Sequence, residues 1–131
     1  DGELDRLQQL GYIDDVAFAQ SWVATHQVGA TPRGSALLHA ELRRKGVDST
    51  IARDALMAAD DTTAATVAAH KRAPALAASP YPEFCRRMLS HLQRRGFSYD
   101  ISLHALRDAW QSMQPAGSMP EDDAQSDPEL E

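Results

Sequence analysis

Cysteine is almost missing from this 131-residue chain: Cys85 stands alone, which excludes an internal disulfide and a cysteine-built zinc cluster and fits a reducing compartment. Aromatic residues are scarce too. Three phenylalanines, three tyrosines and two tryptophans leave alanine and leucine to fill the interior, so thin helices around a modest core are expected. No apolar run approaches the ~18 residues that would span a bilayer, and no signal peptide is visible, so neither membrane nor export is expected and the cytoplasm is the expected location. The chain opens on Asp1, which reads as a missing natural start.

Catalytic signatures are also lacking. The histidines at 26, 39, 70, 91 and 104 form no His-Glu-x-x-His pair, and Cys85 and His91, six apart, do not share a helical face. A buried thiol suits Cys85 better. There is no phosphate-cradling glycine loop and no Gly-x-Ser-x-Gly elbow. The sequence therefore predicts no enzyme, no metal and no cofactor.

The net charge of −6 argues against a nucleic-acid partner until the charges are placed along the chain. Residues 1–30 carry one cation against five acids, residues 31–114 carry twelve cations against eight acids, and residues 115–131 carry six acids alone. The body is basic and its ends are acidic. Beyond Pro115 the composition predicts a disordered acidic tail.

What the chain does have is a repeat. Leu42-Arg43-Arg44-Lys45-Gly46-Val47-Asp48-Ser49-Thr50-Ile51 returns fifty positions later as Leu92-Gln93-Arg94-Arg95-Gly96-Phe97-Ser98-Tyr99-Asp100-Ile101. Each copy reads as a helix stop followed by a helix start. Gly46 and Gly96 are expected in the left-handed conformation, with Val47 and Phe97 folding back onto Leu42 and Leu92. Asp48 and Ser98 then cap the next helices. Arg43, Arg44 and Lys45, and Arg94 and Arg95, fall in last turns, where the macrodipole favours cations and a solvated helix end is the plain reading. A weaker third copy, Leu7-Gln8-Gln9-Leu10-Gly11-Tyr12, predicts that a helix ends at Gly11.

Between these stops, helices are expected over about 14–26, 34–45, 49–59, 62–72, 83–95 and 98–111. Asp14-Asp15 and Asp60-Asp61 are read as helix-start carboxylates rather than a metal or acid–base pair. Gly29 to Gly34 is a turn, and Pro74, Pro80 and Pro82 interrupt helix. Leu38 and Leu42 share a face that Leu37 leaves. The alanine-rich segment 62–72 has a short apolar face that packs only with help. Phe84, Cys85, Met88, Leu89 and Leu92 form the clearest apolar stripe, with Arg86, Arg87, Ser90 and Arg94 on the opposite side.

Gly11-Tyr12-Ile13-Asp14-Asp15-x-x-Phe18-Ala19, then Glu41-Leu42-Arg43-Arg44-Lys45-Gly46-Val47, then Leu92 to Ile101 resemble the RecX family of regulatory proteins over roughly residues 4–111. The resemblance implies an all-α fold of tandem three-helix repeats in an elongated, curved body. Residues 1–13 would end a truncated first repeat, 14–59 would be the second and 60–114 the third, with 115–131 as the tail. It also implies a monomer that binds the RecA filament on single-stranded DNA and restrains strand exchange, ATP hydrolysis and co-protease activity in DNA repair and the SOS response. On this resemblance Arg86, Arg87, Arg94 and Arg95 are the first candidate contacts to RecA or DNA, and Arg43, Arg44 and Lys45 the second. Direct DNA binding is expected to be weak and non-specific. The segment Pro32 to Leu38 is poorer in cations than that stretch often is in the family, and the acidic tail competes for the basic face.

Two other classes remain open. In a helix-turn-helix module the helix after Gly46 or Gly96 would enter a major groove, although Ser49, Thr50, Ile51 and Ala52 offer little base-reading chemistry. A helical-repeat adaptor would use the same scaffold for purely structural contacts.

Overall fold

The computed structural model describes residues 2–114, apart from the side chains of residues 2–4 and 7. The expected tail at 115–131 lies outside them. Six α-helices follow one another: α1 Gly2–His26, α2 Ser35–Arg44, α3 Ser49–Leu56, α4 Asp61–Arg72, α5 Tyr81–Arg94 and α6 Tyr99–Ser112, with a 3-10 turn at Ala73–Leu76 between α4 and α5. The described residues contain no strand. The fold is all-α.

Two cores divide the helices into two three-helix modules. Ala19, Val23, Leu38, Leu42, Val47, Ile51 and Ala55 join α1, α2 and α3. Phe84, Met88, Leu92, Phe97 and Leu106 join α5 and α6 to the alanines of α4. Positions fifty apart are buried alike, as at Ala19 and Ala69, Leu42 and Leu92, Val47 and Phe97, and Ala55 and Ala105. The repeat therefore extends back from the glycine turns into the first helix of each module. Ala64, Ala65, Ala68 and Ala69 are all buried on α4, so the help its weak apolar face requires comes from α5 and α6. Each large side chain buried in these cores contributes about 1.5–3 kcal/mol.

The stop signals are built as their chemistry requires. Gly46 has φ of 91° and Gly96 has φ of 98°. Val47 N donates to Leu42 O at 3.0 Å and Phe97 N to Leu92 O at 3.1 Å, the six-residue closure of a Schellman turn. Asp48 accepts from Thr50 N and Ser98 from Ile101 N, so a side-chain cap follows each turn.

Gly11 behaves differently. α1 runs unbroken through it, and Asp14 and Asp15 lie mid-helix rather than at a helix start. Glycine permits a left-handed residue without compelling one; the turn needs an apolar residue that folds back, and Tyr12 is 56% exposed. Continuing the helix through one glycine costs only about 1 kcal/mol.

The modules meet around the start of α2. Gly34 N donates to Arg95 O at 2.7 Å and Ala36 N to Gly96 O at 3.1 Å. Ser35 N and Oγ both donate to the Asp61 carboxylate at 2.9 Å. Buried Gln27 closes the joint, donating to Asp61 Oδ1 at 2.6 Å and accepting from Asp60 N at 2.6 Å. Asp60 caps α4 through Thr63, as expected, whereas Asp61 caps α2 instead of its own helix. Leu37 is half-buried rather than idle, because it lies against Gly96.

This packing separates two otherwise equivalent glycines. A Cβ at Gly46 would meet nothing within 4 Å, whereas one at Gly96 would fall 2.5 Å from Leu37 N and Cβ. Gly46→Ala should therefore cost about 1–2 kcal/mol of backbone strain alone. Gly96→Ala should cost the same strain plus the separation of the modules, and thermal unfolding should show the larger loss at position 96. Equal losses would mean that the close approach contributes nothing.

Candidate anion-binding interface

The seven candidate cations occupy different surroundings. Arg43, Arg44 and Lys45 are exposed at the end of α2. Arg43 Nη1 donates to Val47 O at 2.8 Å and so braces its own turn. Lys45 Nζ lies 4.6 Å from the centre of the Trp22 ring, within cation–π range. Arg44 makes no ion pair among the described residues. On α5, Arg86 likewise pairs with no carboxylate, Arg87 meets Glu83 at 2.9 Å, and Arg94 Nη1 donates to Ser90 Oγ at 2.6 Å. All three are exposed.

Arg95 departs from that row. It is half-buried and turned toward the first module, where its Nη2 donates to Thr31 O at 3.0 Å. Lys71 makes a parallel reach from the end of α4, its Nζ donating to Gly29 O at 2.7 Å. Between them lies a cleft of about 190 Å3, lined by Thr31 and Pro32 of the first module and by Lys71, Arg72, His91 and Arg95 of the second. Every titratable side chain lining it is basic.

The electrostatics of the cleft register on His91. Burial lowers its pKa from the ordinary 6.5, and the Arg72, Arg95 and Arg94 guanidinium groups push it the same way. The first module presents a different arrangement. Trp22 Nε1 donates to Glu41 Oε1 at 3.0 Å, and Arg33 Nη1 pairs with Glu41 Oε2 at 2.9 Å. There a carboxylate neutralises Arg33. No hydrogen bond or ion pair joins the Arg43–Lys45 group to the α5 row among the described residues, and no group of three or more His, Cys, Asp or Glu among them is arranged to hold a metal ion.

A family profile described as "RecX, second three-helix domain" matches residues 14–56, which lie within the first module. Regulatory protein RecX of Thermobifida fusca is 34% identical over 110 residues, covering 80% of this chain and 58% of that one. Regulatory protein RecX of Chlorobaculum tepidum is 35% identical over 97 residues, covering 74% and 59%. The crystal structure of RecX from Lactobacillus salivarius superposes with a TM-score of 0.70 at 28% identity, over 80% of this chain and 70% of that one. The chain belongs to the RecX family. It spans less than two thirds of the length of the two curated RecX relatives described. None of its described helices is long and apolar enough to cross a membrane.

Sequence reasoning about this RecX-family chain missed Lys71, Arg72 and His91 as site residues, because they read as ordinary helix-end cations. The fifty-residue spacing carried the signal, since it aligns Arg72, His91 and Arg95 with Trp22, Glu41 and Lys45.

The His91 shift has a consequence for stability. Because its folded-state pKa is depressed, the unfolded chain binds the proton more readily, so stability is full above about pH 6.5 and declines below it. Urea unfolding of the protein and of His91→Gln, above and below pH 6.5, should show the natural protein losing stability relative to the variant on acidification. Parallel curves would mean that neither burial nor the neighbouring guanidinium groups disfavour the charged ring.

Proposed function

We propose that this chain is a non-catalytic, monomeric cytoplasmic regulator that binds the RecA filament on single-stranded DNA and restrains its strand exchange, ATP hydrolysis and co-protease activity. The observation that supports this best is the RecX-like pair of modules bearing solvent-facing arginines at the same place in each, Arg44 and Arg94, one turn-end apart from their glycines. A serial arrangement of modules offers a long surface to a filament. Arg86 and Arg87 extend that charge along α5, while Arg43, Lys45 and Arg95 sit at the turns that hold the modules in shape. Acidic groups on the filament or phosphates on its DNA are the complementary partners.

The helix-turn-helix alternative receives less support. The helices that would enter a groove, α3 and α6, bury Ile51, Ala52 and Ala55, and Ser102, Ala105, Leu106 and Ala109. Their exposed positions include Asp54, Asp100 and Asp108, which repel phosphate.

ATPase by RecA on single-stranded DNA, followed as the protein is titrated in, tests the proposal. The natural protein should inhibit. Arg44→Glu combined with Arg94→Glu should keep the helical circular-dichroism signal and need about tenfold more protein for half-inhibition. Undiminished ATPase at saturating natural protein removes the proposal; full inhibition by the double variant removes the arginines from it.

A further inference from the structure

The two modules carry the same three positions to opposite ends in charge. Trp22, Glu41 and Lys45 of the first correspond, fifty residues on, to Arg72, His91 and Arg95 of the second. In the first module the Glu41 carboxylate accepts from Trp22 and pairs with Arg33, and Lys45 rests over the Trp22 ring, so one of its two cations is compensated and the other lies on an aromatic face. In the second the carboxylate has become a histidine and the tryptophan an arginine. Lys71 adds a further cation, and none of Lys71, Arg72 and Arg95 meets a carboxylate among the described residues. Like charges gathered without a counter-charge are costly unless a ligand supplies one.

We propose that this cleft seats one phosphate group of a nucleic-acid strand, gripped by Lys71, Arg72 and Arg95, and that filling it braces the two modules against each other. Its shape and donors suit that ligand. Lys71 and Arg95 are each anchored by one bond to a carbonyl of the opposite module, Gly29 and Thr31, which holds them in place while leaving further N–H groups for an oxyanion. The ends of α4 and α5 bring the negative poles of two dipoles nearby, together about one charge, against three full cations. The balance stays positive. A tetrahedral phosphate offers acceptors in several directions to donors converging from two helices, whereas a planar carboxylate on a protein surface meets them from one side.

Bracing follows from where the grip lies. The same Arg95 whose guanidinium lines the cleft receives the Gly34 N–H on its carbonyl, and the next residue, Gly96, receives that of Ala36. Lys71 and Arg95 bond the Gly29 and Thr31 carbonyls with one N–H each, so an anion that fixes both cations holds the loop against α4 and α5 and keeps those cross-module bonds closed. The inference rests on the regulatory reading only for the source of the phosphate, the DNA strand on which the recombinase assembles.

The test uses the protein alone. A fluorescent single-stranded oligonucleotide, titrated at several salt concentrations, should bind Lys71→Gln/Arg72→Gln about tenfold more weakly, with a salt slope lower by about 0.7, one phosphate of a single strand. Arg53→Gln, an exposed cation elsewhere, should leave oligonucleotide affinity within about twofold of the natural protein. Inorganic phosphate should raise the melting temperature over chloride at equal ionic strength, and slow amide exchange at Gly34 and Ala36, by more in the natural protein than in the double variant, because exclusion of phosphate from the surface stabilises both alike. Unchanged oligonucleotide affinity and an unchanged phosphate response in Lys71→Gln/Arg72→Gln would overturn the seat. Slower exchange throughout the molecule would overturn the bracing, and tighter binding of a polyglutamate peptide than of the oligonucleotide would reassign the cleft to acidic protein. Loss of RecA inhibition plays no part in these readouts, so the seat and the regulatory reading fail separately.

Discussion

A helix start without a side-chain cap of its own holds this molecule together. The N-cap of α2 is Gly34, which has no side chain to offer, and the N–H groups at the start of the helix would be orphaned if the first module stood alone. Their acceptors come from the second module: the Arg95 and Gly96 carbonyls and the Asp61 carboxylate. Separating the modules would strand those donors. Leaving a buried donor unsatisfied costs about 1–3 kcal/mol, so the joint is specified by hydrogen bonding as much as by apolar contact. Only glycine fits at 34 and 96, because a Cβ on either would strike the other module's backbone.

Repetition then becomes a means of divergence. The turns, caps and core positions are kept fifty residues apart, so both modules fold by the same local rules. Side chains around the joint are released from that pattern. The first module spends them on an aromatic arrangement of Trp22 and His26, their rings 3.9 Å apart, with Glu41 pairing Arg33 and Lys45 over the Trp22 ring. The second concentrates cations where they face the 29–33 loop. A net acidic chain can thus carry a strongly basic cleft, since the field near a surface depends on where charges sit more than on their sum.

Much of the fold was legible because it is written in short-range chemistry. The Schellman closures from Val47 to Leu42 and from Phe97 to Leu92 span six residues each and were recoverable from glycine, apolar spacing and a following cap. The stripe of Phe84, Cys85, Met88 and Leu92 was equally plain, and all four are buried. Gly11 misled because its neighbours match the pattern while Tyr12 stays exposed and the helix runs on. Of the candidate site, the outward positions of Arg86, Arg87 and Arg94 were legible from helical periodicity. Arg95 was not, because its direction is set by a carbonyl sixty-four residues away.

By itself the sequence determined the two glycine turns at 46 and 96 with the capped helix starts that follow them, which faces turn inward, and that one unit occurs twice. Those outcomes follow from energies of neighbouring residues, which are the same whatever lies beyond them. Tertiary structure alone decided that Asp61 caps α2, that Leu37 lies against Gly96, and that Lys71, Arg72, His91 and Arg95 converge. Each of these joins residues remote in the chain, and their meeting depends on how two finished modules dock, a geometry no local preference encodes.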